Sequence, residues 1–331
     1  MTFFQAQSIN QPLCPVCGSV ECVSLRPYRA SGFEPFFDRM EIIECATCAL
    51  RFAWPSPAAD VLDDYYRQTY WDHMRARTKV KRFLDSCQQR DHARSQITFL
   101  EPWLEAKQLT GVLDIGAGFG DFLIEVRVRG GKNLLAIEPA AEAAAQLERL
   151  GFSVARTLWE DVHKYSLEKG AKPEIRLIRA SHVLEHVASP PYFLKRIFEV
   201  LSDDGFLLCE VPNDGNELLL LAETVRGADV PHLQFFNARS LTMLLKLSRF
   251  DVLEVATFGN EPRTRQARIT DASRSVKALL PYGVTRVVSD VRRIGQHVGH
   301  KLVPRLARPS WKRNPNGVWL RAVARKCLAH R

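Results

Sequence analysis

The chain has 331 residues, which is enough for one large α/β domain with an appendage. Hydrophobic residues make up 46% of it and charged residues 25%, the ordinary balance of a globular protein. The sequence contains no apolar run of about 18 residues, so it predicts no membrane-spanning helix. Its first residues lack the basic and apolar regions of a signal peptide, and we therefore expect a cytoplasmic protein.

The positive charge is concentrated towards the end of the chain. Residues 261–331 contain 17 of the 46 Lys and Arg residues and 3 of the 37 Asp and Glu residues. The rest of the chain therefore contains 29 basic and 34 acidic residues. The end segment is therefore strongly basic, and the remainder is weakly acidic. A local basic segment indicates either a docking surface for an anionic partner or a solvated polar insertion, and both interpretations stay open.

Two C-x2-C pairs lie near the beginning of the chain, separated by 27 residues. In a cytosolic protein such pairs predict metal ligands rather than disulfides, because a two-residue gap lets both thiolates face one tetrahedral Zn²⁺. Four cysteine ligands close the coordination shell, so we expect a structural zinc and not a catalytic one. Ala49 stands where the second pair would usually have Gly. The predicted ligands are Cys14, Cys17, Cys45 and Cys48.

Three regions follow one another along the chain. We predict a zinc-binding ribbon over residues 1–57 and a helical linker or cap over residues 58–108, where apolar residues recur at helical spacing. Strand and helix patterns alternate in residues 109–331, which predicts a doubly wound, Rossmann-like α/β domain with a mostly parallel sheet. The seven predicted strands are GVLDIGAG, NLLAIEP, FSVARTL, EIRLIRASHV, GFLLCEVP, FDVLEVATF and VWLRAVARK. The basic residues 261–317, between the last two strands, are predicted to form a helical insertion.

A glycine-rich turn follows the first of these strands, at the edge of the sheet where open α/β folds bind ligands. Its residues are Asp114, Gly116, Ala117, Gly118 and Gly120. Position 121 is Asp, so the turn lacks the third glycine of a dinucleotide fingerprint, and its G-x-G-x-G spacing is typical of S-adenosylmethionine (SAM) sites. Asp114 can anchor the cationic amino group of SAM, and Glu138 after the second strand can accept both ribose hydroxyls. The alternative for Glu138 is an acid on a surface loop.

Ser189-Pro190-Pro191-Tyr192 matches a tetrapeptide that enzymes methylating the amino group of adenine or glutamine carry in their active sites. In those enzymes it directly follows the fourth strand, whereas here it begins seven residues after His182, which we place at the tip of that strand. Ser is a good N-cap, and Pro is tolerated in the first helical turn. We therefore interpret the tetrapeptide as a helix start, which removes the best sequence argument for a nucleic-acid substrate.

Seven stretches of the chain together resemble class I SAM-dependent methyltransferases. They are CPVCGS, CATCALRFAWPSP, VLDIGAGFGDFL, LLAIEP, SHVLEHV, DGFLLCEVPN and PHLQFF, and they cover roughly residues 14–258 in the family's order. The chain is most similar to the bacterial small-molecule branch, which places a four-cysteine zinc unit before the catalytic domain. The resemblance implies methyl transfer to a hydroxyl or carbon of a sugar, a glycan or lipid-linked intermediate, or a secondary metabolite.

The resemblance also implies which residues contact the cofactor. The loop after the third strand is expected to border the adenine of SAM, with Leu158 or Trp159 on its face and Asp161 or a backbone group at its amino group. Alternatively, Trp159 is a core residue and the acids after it cap a helix. Ser181 and His182, at the tip of the fourth strand, face the methionine part of SAM.

Two histidines are candidate general bases, because an imidazole with a pKa of about 6.5 can take a proton from a hydroxyl. His186 follows the fourth predicted strand and His232 follows the fifth. Each has a structural alternative: His186 belongs to a Glu-His pair that is partly structural, and His232 packs in a loop. Because positioning alone supplies much of the acceleration of an SN2 transfer, the absence of a base would not exclude catalysis.

Two other functions compete with small-molecule methylation. An RNA methyltransferase would bind RNA through the zinc unit and the basic insertion, but the zinc unit is not rich in Lys and Arg, so we disfavour a nucleic-acid partner. A non-catalytic zinc scaffold is disfavoured because the SAM motifs are intact. Residues 261–317 carry apolar residues at helical spacing among arginines. This segment is predicted either to lie on an anionic membrane, at the inner membrane face, or to cover the active site as a lid.

Overall fold

The computed structural model describes residues 11–28, 40–57, 62, 82–104, 109–159, 174–214, 232–260, 311–315 and 317–327. The strands of this part of the chain are β1 (Cys22–Pro27), β2 (Glu41–Cys45), β3 (Arg51–Trp54), β4 (Thr110–Ile115), β5 (Lys132–Ile137), β6 (Ser153–Ala155), β7 (Ile175–Ser181), β8 (Leu201–Pro212), β9 (Gln234–Phe235), β10 (Phe250–Asn260), β11 (Trp311–Arg313) and β12 (Trp319–Lys326). Its α-helices are α1 (Arg82–Leu100), α2 (Asp121–Val128), α3 (Ala141–Arg149), α4 (Pro190–Val200) and α5 (Ala238–Leu247), and a 3₁₀ helix spans Leu184–His186. None of these helices is long and apolar enough to cross a membrane.

Eight strands form one large sheet in the order β11-β10-β12-β8-β7-β4-β5-β6. Strands β4 to β8 pair in parallel, whereas β12 runs antiparallel between β8 and β10. This is the Rossmann-like α/β fold that the alternating pattern predicts. The structure adds an eighth strand at the edge, where β11 pairs with the end of β10. This strand lies inside the range 261–317 that was predicted as an insertion, and residues 261–310 are outside the described part of the chain.

Helices cover both faces of the large sheet, because its strands carry apolar side chains on both sides. In β4, Leu113 and Ile115 belong to one buried layer and Val112 belongs to the other. Helices α4 and α5 pack on the first layer, and α1, α2 and α3 pack on the second. Burial on both faces explains why the central strands read as continuous apolar runs in the sequence.

The strand order brings the functional residues to one edge of the sheet. The carboxyl ends of β4, β5, β7 and β8 lie at this edge, with β4 next to β7 where the order reverses. Because β12 is antiparallel, its first residue, Trp319, lies opposite Pro212 at the end of β8. The edge therefore collects the glycine-rich turn, the tip of β7 and the start of β12.

A second, antiparallel sheet in the order β1-β2-β3-β9 forms the N-terminal ribbon. Its fourth strand, β9, comes from the region after β8 and pairs with β3 through Phe52 and Gln234. Leu50 and Phe52 are buried in the same layer as Phe236 and Leu241 of the large domain. The ribbon is thus joined to the α/β domain by a shared sheet and a shared core.

Helix α4 begins where the Ser-Pro-Pro-Tyr stretch predicts it. Pro190 and Pro191 occupy its first turn, and Ser189 precedes them in an extended conformation. The Ser189 side chain makes no capping hydrogen bond. The prolines, with φ already set for a helix, therefore define the start of α4.

Candidate active site

The glycine-rich turn joins β4 to α2. Gly116, Gly118 and Gly120 have φ of 69°, 55° and 86°, a backbone conformation that residues with a side chain rarely adopt. A Cβ atom on Gly120 would lie 2.6 Å from Leu147 Cδ2, whereas one on Gly118 would meet nothing within 4 Å. The turn is therefore open at Gly118, where a ligand can approach the backbone. Ala117 is buried in the same turn.

Glu138 directly follows β5 and lies against this turn. Its carboxylate accepts the N–H groups of Gly118 at 2.7 Å and Ala140 at 2.8 Å. Burial raises the pKa of Glu138 to about 7, against the effect of these two hydrogen bonds, and the nearby charge of Asp114 adds to the rise. The predicted ribose acceptor is thus a buried carboxylate beside the glycine turn and not a solvated surface residue.

Asp114, in β4 just before the turn, is fully buried and paired with Arg179 of β7. Arg179 Nη1 donates to Asp114 Oδ1 at 2.7 Å, and Arg179 Nε donates to Gln96 Oε1 at 2.9 Å. Burial raises the pKa of the Asp114 carboxyl, and the Arg179 charge opposes that rise. The other oxygen, Oδ2, has no hydrogen-bond partner among the described residues. Arg179 is not among the residues predicted from the sequence, although an arginine inside an apolar strand is a signal of a buried acidic partner.

The structure describes the predicted adenine loop only as far as Trp159. Leu158 and Trp159 are half-buried after β6, and Asp161 lies outside the described residues. The Trp159 ring packs edge-to-face on Phe193, with centroids 4.9 Å apart, and on Tyr192 at 6.0 Å. These contacts with the start of α4 agree with the alternative in which Trp159 is a core residue.

Strand β7 ends at Ser181, and His182 follows it directly. Ser181 Oγ accepts a hydrogen bond from Gln96 Nε2 at 3.0 Å and donates to Glu210 Oε1 at 3.2 Å. His182 has a φ of 57°, and its backbone N–H donates to the carbonyl of Glu210 at 2.9 Å. Its ring Nδ1 lies 3.1 Å from Glu185 Oε1. Burial alone would lower the pKa of His182, but the Glu185 hydrogen bond and the charges of Glu185 and Glu210 raise it.

An aromatic wall, which we define as Trp311, Trp319, His92 and His182, stands at this edge. The His182 ring packs edge-to-face on Trp319, with centroids 4.4 Å apart. Trp319 and Trp311 are stacked at 6.1 Å with an angle of 27° between their planes, and Trp311 lies 4.6 Å from the His92 ring. Trp319 Nε1 has no hydrogen-bond partner among the described residues. The wall joins β7, β11, β12 and α1, and sequence reasoning did not predict it.

A buried ion pair lies behind the tip of β7. Glu210 of β8 and Arg321 of β12 face each other in the sheet register, and both are 0% exposed. The Glu210 carboxylate contacts the Arg321 guanidinium and the His92 ring, and it accepts from Gln96 Nε2 at 3.0 Å. Burial would raise the pKa of Glu210, but Arg321 and His92 hold it well below its usual range. Since Ser181 also bonds to Glu210, this pair supports the tip of β7.

The two histidines predicted as general bases lie together beside a third polar residue. The His186 and His232 rings are 4.9 Å apart, and His186 Nε2 is 3.9 Å from Glu185 Oε1. One donor atom from each of Glu185, His186 and His232 lies within 4.8 Å of the other two, and we call these residues the Glu-His-His cluster. Burial, followed by the charge of His186, lowers the pKa of His232 to about 3, so its imidazole is neutral near pH 7.

The four predicted zinc ligands also converge. Cys14 Sγ lies 3.6 Å from Cys48 Sγ, and Cys17 Sγ lies 3.5 Å from Cys45 Sγ. All four sulfurs are within 4.8 Å of one another. A tetrahedral Zn²⁺ with Zn–S bonds of about 2.3 Å has its sulfurs about 3.8 Å apart, so this donor set and its spacing fit the ion. Ala49 adopts a φ of 57°, the left-handed conformation that the usual glycine would supply.

The chain is similar to known proteins in its family and in its fold. The family model described as "Methyltransferase domain" matches residues 69–255, more than half of the chain. The 1,6-didemethyltoxoflavin-N1-methyltransferase of Burkholderia thailandensis is 14% identical, with a TM-score of 0.47 over 88% of this chain and 96% of that one. A SAM-dependent methyltransferase from Archaeoglobus fulgidus is 16% identical, with a TM-score of 0.45 over 72% of this chain and 94% of that one.

No curated protein matches the chain. The family model covers the residues from before α1 into β10, and so includes the glycine-rich turn, Glu138, the tip of β7 and the Glu-His-His cluster. The fold and the motifs at the carboxyl edge of the sheet agree with this match. The chain therefore belongs to the methyltransferase domain family and is a class I, SAM-dependent methyltransferase.

Proposed function

We propose that this enzyme transfers the methyl group of SAM to a hydroxyl, or a carbon, of a small acceptor that contains a ring. The acceptor classes are sugars, glycan or lipid-linked intermediates and secondary metabolites. The observation that carries this proposal is the aromatic wall, because the pockets that bind small molecules are lined mainly by apolar and aromatic side chains with a few polar groups. Flat indole and imidazole faces, such as those of Trp311, Trp319 and His182, bind the face of a ring.

We assign SAM to the glycine-rich turn and to the side chains around it. The open backbone at Gly118 supports close approach of the ligand. A carboxylate has about four lone-pair sites, so Glu138 can accept the ribose hydroxyls while it keeps its two backbone hydrogen bonds. Asp114, which precedes the turn and is held by Arg179, is the acid that we assign to the amino group of SAM, directly or through water. Ser181 and His182 then border the methionine part.

The chemistry needs three atoms in line and an outlet for one proton. A lone pair of the acceptor forms the bond to the methyl carbon while the S–C bond breaks, and its electrons stay on sulfur to give S-adenosylhomocysteine. A hydroxyl acceptor also releases its proton. Alignment of the reacting atoms supplies much of the rate, and His186 and His232 stay the predicted groups at which the proton leaves.

We also propose that Cys14, Cys17, Cys45 and Cys48 hold one structural Zn²⁺. The sulfur separations of 3.5 and 3.6 Å support a tetrahedral ion. Because all four positions are protein thiolates, this zinc has no open position for a substrate. Its role is to hold the ribbon together.

Isotope-labelled SAM tests the acceptor class. The full-length enzyme is incubated with labelled SAM and an extract of its source cells, with and without nuclease treatment, and the labelled product is identified. We expect the label in small molecules or lipid-linked glycans, whether or not nuclease is added. A label that is found on RNA and disappears after nuclease treatment would contradict the proposal and support the RNA alternative.

Two variants of one strand test the aromatic wall in the same assay. Trp311→Ala removes an indole of the wall, and we expect it to raise the KM for the acceptor about tenfold while the Kd for SAM stays unchanged. Arg313→Ala is the matched control, because Arg313 packs over Phe99 and not on the wall. Equal effects of the two substitutions on the acceptor KM would contradict the role of the wall.

A further inference from the structure

We propose that the Glu-His-His cluster binds a divalent transition-metal ion, at a site separate from the four cysteines. Glu185 and His186 belong to the 3₁₀ helix after β7, and His232 lies just before β9. The fold thus brings together two imidazoles and one carboxylate from two distant parts of the chain. One donor atom from each lies within 4.8 Å of the other two.

The donor types select the class of ion. Two imidazoles and one carboxylate suit Fe²⁺, Mn²⁺, Co²⁺ or Zn²⁺, and this set leaves coordination positions open to other ligands. Alkaline-earth ions prefer sites built entirely from oxygen. We therefore assign the cluster to a first-row transition ion and not to Mg²⁺ or Ca²⁺.

A buried oxygen of Glu185 provides a second, independent observation. The Glu185 side chain is 1% exposed, and its Oε1 is held by His182 Nδ1 at 3.1 Å. Its Oε2 is buried and has no hydrogen-bond partner in the part of the chain that the structure describes. A buried carboxylate oxygen without a partner is costly, and a bound cation would remove that cost.

A neighbouring cluster, formed by His92, His182 and Glu210, has a similar composition but is already satisfied. Glu210 is paired with the fully buried Arg321 and also bonds to Gln96. A cation there would have to compete with a guanidinium that cannot lose its proton. The charged partners recorded for Glu185 within the described ranges are histidines, which can lose theirs. The ion is therefore expected at the Glu-His-His cluster.

A small movement of the three side chains would bring their donor atoms to metal-binding distance. Bonds of about 2.1 Å from the ion to nitrogen and oxygen place neighbouring donors about 3 Å apart. The present separation of up to 4.8 Å therefore closes by roughly 1–2 Å, which is within reach of side-chain rotation. The backbone is already anchored, because Leu233 N–H donates to the Glu185 carbonyl at 2.8 Å and so holds the two parts of the cluster together.

The Glu-His-His cluster lies next to the glycine-rich turn. Val183, two residues before Glu185, reaches Gly116 so closely that a Cβ there would be 2.8 Å from Val183 Cγ2. An acceptor hydroxyl bound in an open position of the ion would lose its proton more readily, and the two imidazoles would then serve as ligands instead of bases. This catalytic role rests on the function proposed above, whereas the metal site itself does not.

Cobalt titration of the full-length protein tests the site without SAM or acceptor. Loosely bound metal is first removed with a mild chelator, and Co²⁺ is then added. We expect weak visible bands from a nitrogen- and oxygen-bound ion, at one equivalent per chain, without the intense thiolate-to-cobalt absorption that the cysteine site would give. Glu185→Gln and His232→Ala should each weaken this binding by about 100-fold or more. His92→Gln, in the neighbouring cluster, is the matched control and should bind Co²⁺ as the wild type does.

Binding of SAM, measured by calorimetry, shows that each variant is folded. The proposal is overturned if the wild type gives no cobalt bands beyond those of thiolate ligation. It is also overturned if folded Glu185→Gln and His232→Ala bind Co²⁺ normally, or if binding is lost only in His92→Gln. Should both cluster variants fail to fold, the wild-type titration decides by itself. Since none of these measurements involves an acceptor, an error in the proposed acceptor class would leave the result unchanged.

Discussion

Glu138 is a carboxylate whose proposed role in binding the ribose and whose burial oppose each other. It has to be charged to accept two ribose hydroxyls most strongly, yet it is 2% exposed and lies near a second acid, Asp114. No cationic side chain is recorded against it in the described ranges; its partners are the N–H groups of Gly118 and Ala140. Before SAM binds, this residue therefore makes the folded protein sensitive to pH.

We predict that Glu138→Gln removes a pH dependence of stability. The wild-type carboxyl has a pKa of about 7 in the folded state and an ordinary value of 4.5 in the unfolded state, so the folded state keeps this proton up to a higher pH. Stability from this group is fully present below about pH 4.5 and is lost as the pH rises to about 7. The total loss is roughly 2–4 kcal/mol. Urea denaturation of the ligand-free protein between pH 5 and pH 8 should therefore give a flatter profile for the variant.

The matched control for this prediction is Glu148→Gln. Glu148 is exposed and bonded to Arg156, which lowers its pKa, so it is already ionised throughout the range tested. Its substitution should leave the slope between pH 5 and pH 8 unchanged. A Glu138→Gln profile as steep as that of the wild type would show that Glu138 does not titrate in this range.

The glycine-rich turn and the acids beside it could be located from the sequence, because their signals are local. Asp114 and Gly118 lie at a fixed spacing at the end of one apolar run, and Glu138 lies at the end of the next apolar run. Arg179 was not predictable in the same way, because its contact with Asp114 depends on how β7 aligns with β4. The Trp159 contacts with α4 depend on packing between elements that are distant along the chain.

At the scale of elements, β8 and β12 are joined by a charged pair inside an apolar sheet. Arg321 and Glu210 are directly opposite in register and both are fully buried. Each side chain would be costly to bury alone, so the pair favours this one alignment of the strands. In the sequence both residues interrupt apolar runs, but the alignment that pairs them appears only in the structure.

Arg321→Met is predicted to destabilise the protein by about 3–5 kcal/mol, because it leaves a buried carboxylate whose remaining basic contacts are the imidazoles of His92 and His182. Combining it with Glu210→Gln should recover most of this loss. Arg325→Met is the control on the same strand, since Arg325 is half-exposed in its pair with Asp251 and should cost less than about 1 kcal/mol. Urea denaturation measures all three. Equal losses for the two single substitutions would rule out a special role for the buried pair.

Two helix starts differ in how they are capped. Asn237 accepts the N–H of Ser240 at 2.9 Å and completes a capping box at α5, and its side chain also donates to the Ala49 carbonyl at 2.5 Å. Ser189 makes no such bond at α4. We predict that Asn237→Ala costs about 1–2 kcal/mol and that Ser189→Ala costs less than about 0.5 kcal/mol. Thermal unfolding distinguishes them, and similar losses would contradict the capping argument.

Regular elements of the fold could be predicted, whereas very short ones could not. The start of α4 follows from two prolines after a serine, and the parallel strands follow from apolar runs at a steady spacing. Strands β9 and β11 have two and three residues, which is too short for any periodic pattern. Yet β9 closes the small sheet, and β11 carries Trp311 into the aromatic wall.

For the whole molecule, β9 connects the N-terminal ribbon, with its proposed zinc site, to the catalytic domain. β9 pairs with β3 in the small sheet, and it is preceded by His232 of the Glu-His-His cluster. Tyr28 Oη in the ribbon donates to the His232 carbonyl at 3.0 Å. Loss of order in the ribbon would therefore reach the proposed active site through β9 and through the core that the two parts share.

We accordingly predict that removal of zinc destabilises the whole protein in one cooperative transition. Cys14→Ser with Cys48→Ser should lower the unfolding free energy by about 3 kcal/mol or more, which corresponds to roughly 5–10 °C in Tm, and should weaken SAM binding at the same time. Cys327→Ser is the control, because Cys327 is exposed and lies outside the ligand set. Calorimetric unfolding with zinc analysis measures the effect. If the ribbon melted first, with the remaining transition and SAM affinity unchanged, the ribbon would be an independent module. A single shifted transition with weakened SAM binding would instead mean that the proposed zinc site of the ribbon, far along the sequence from the tip of β7, is needed for the shape of the catalytic edge.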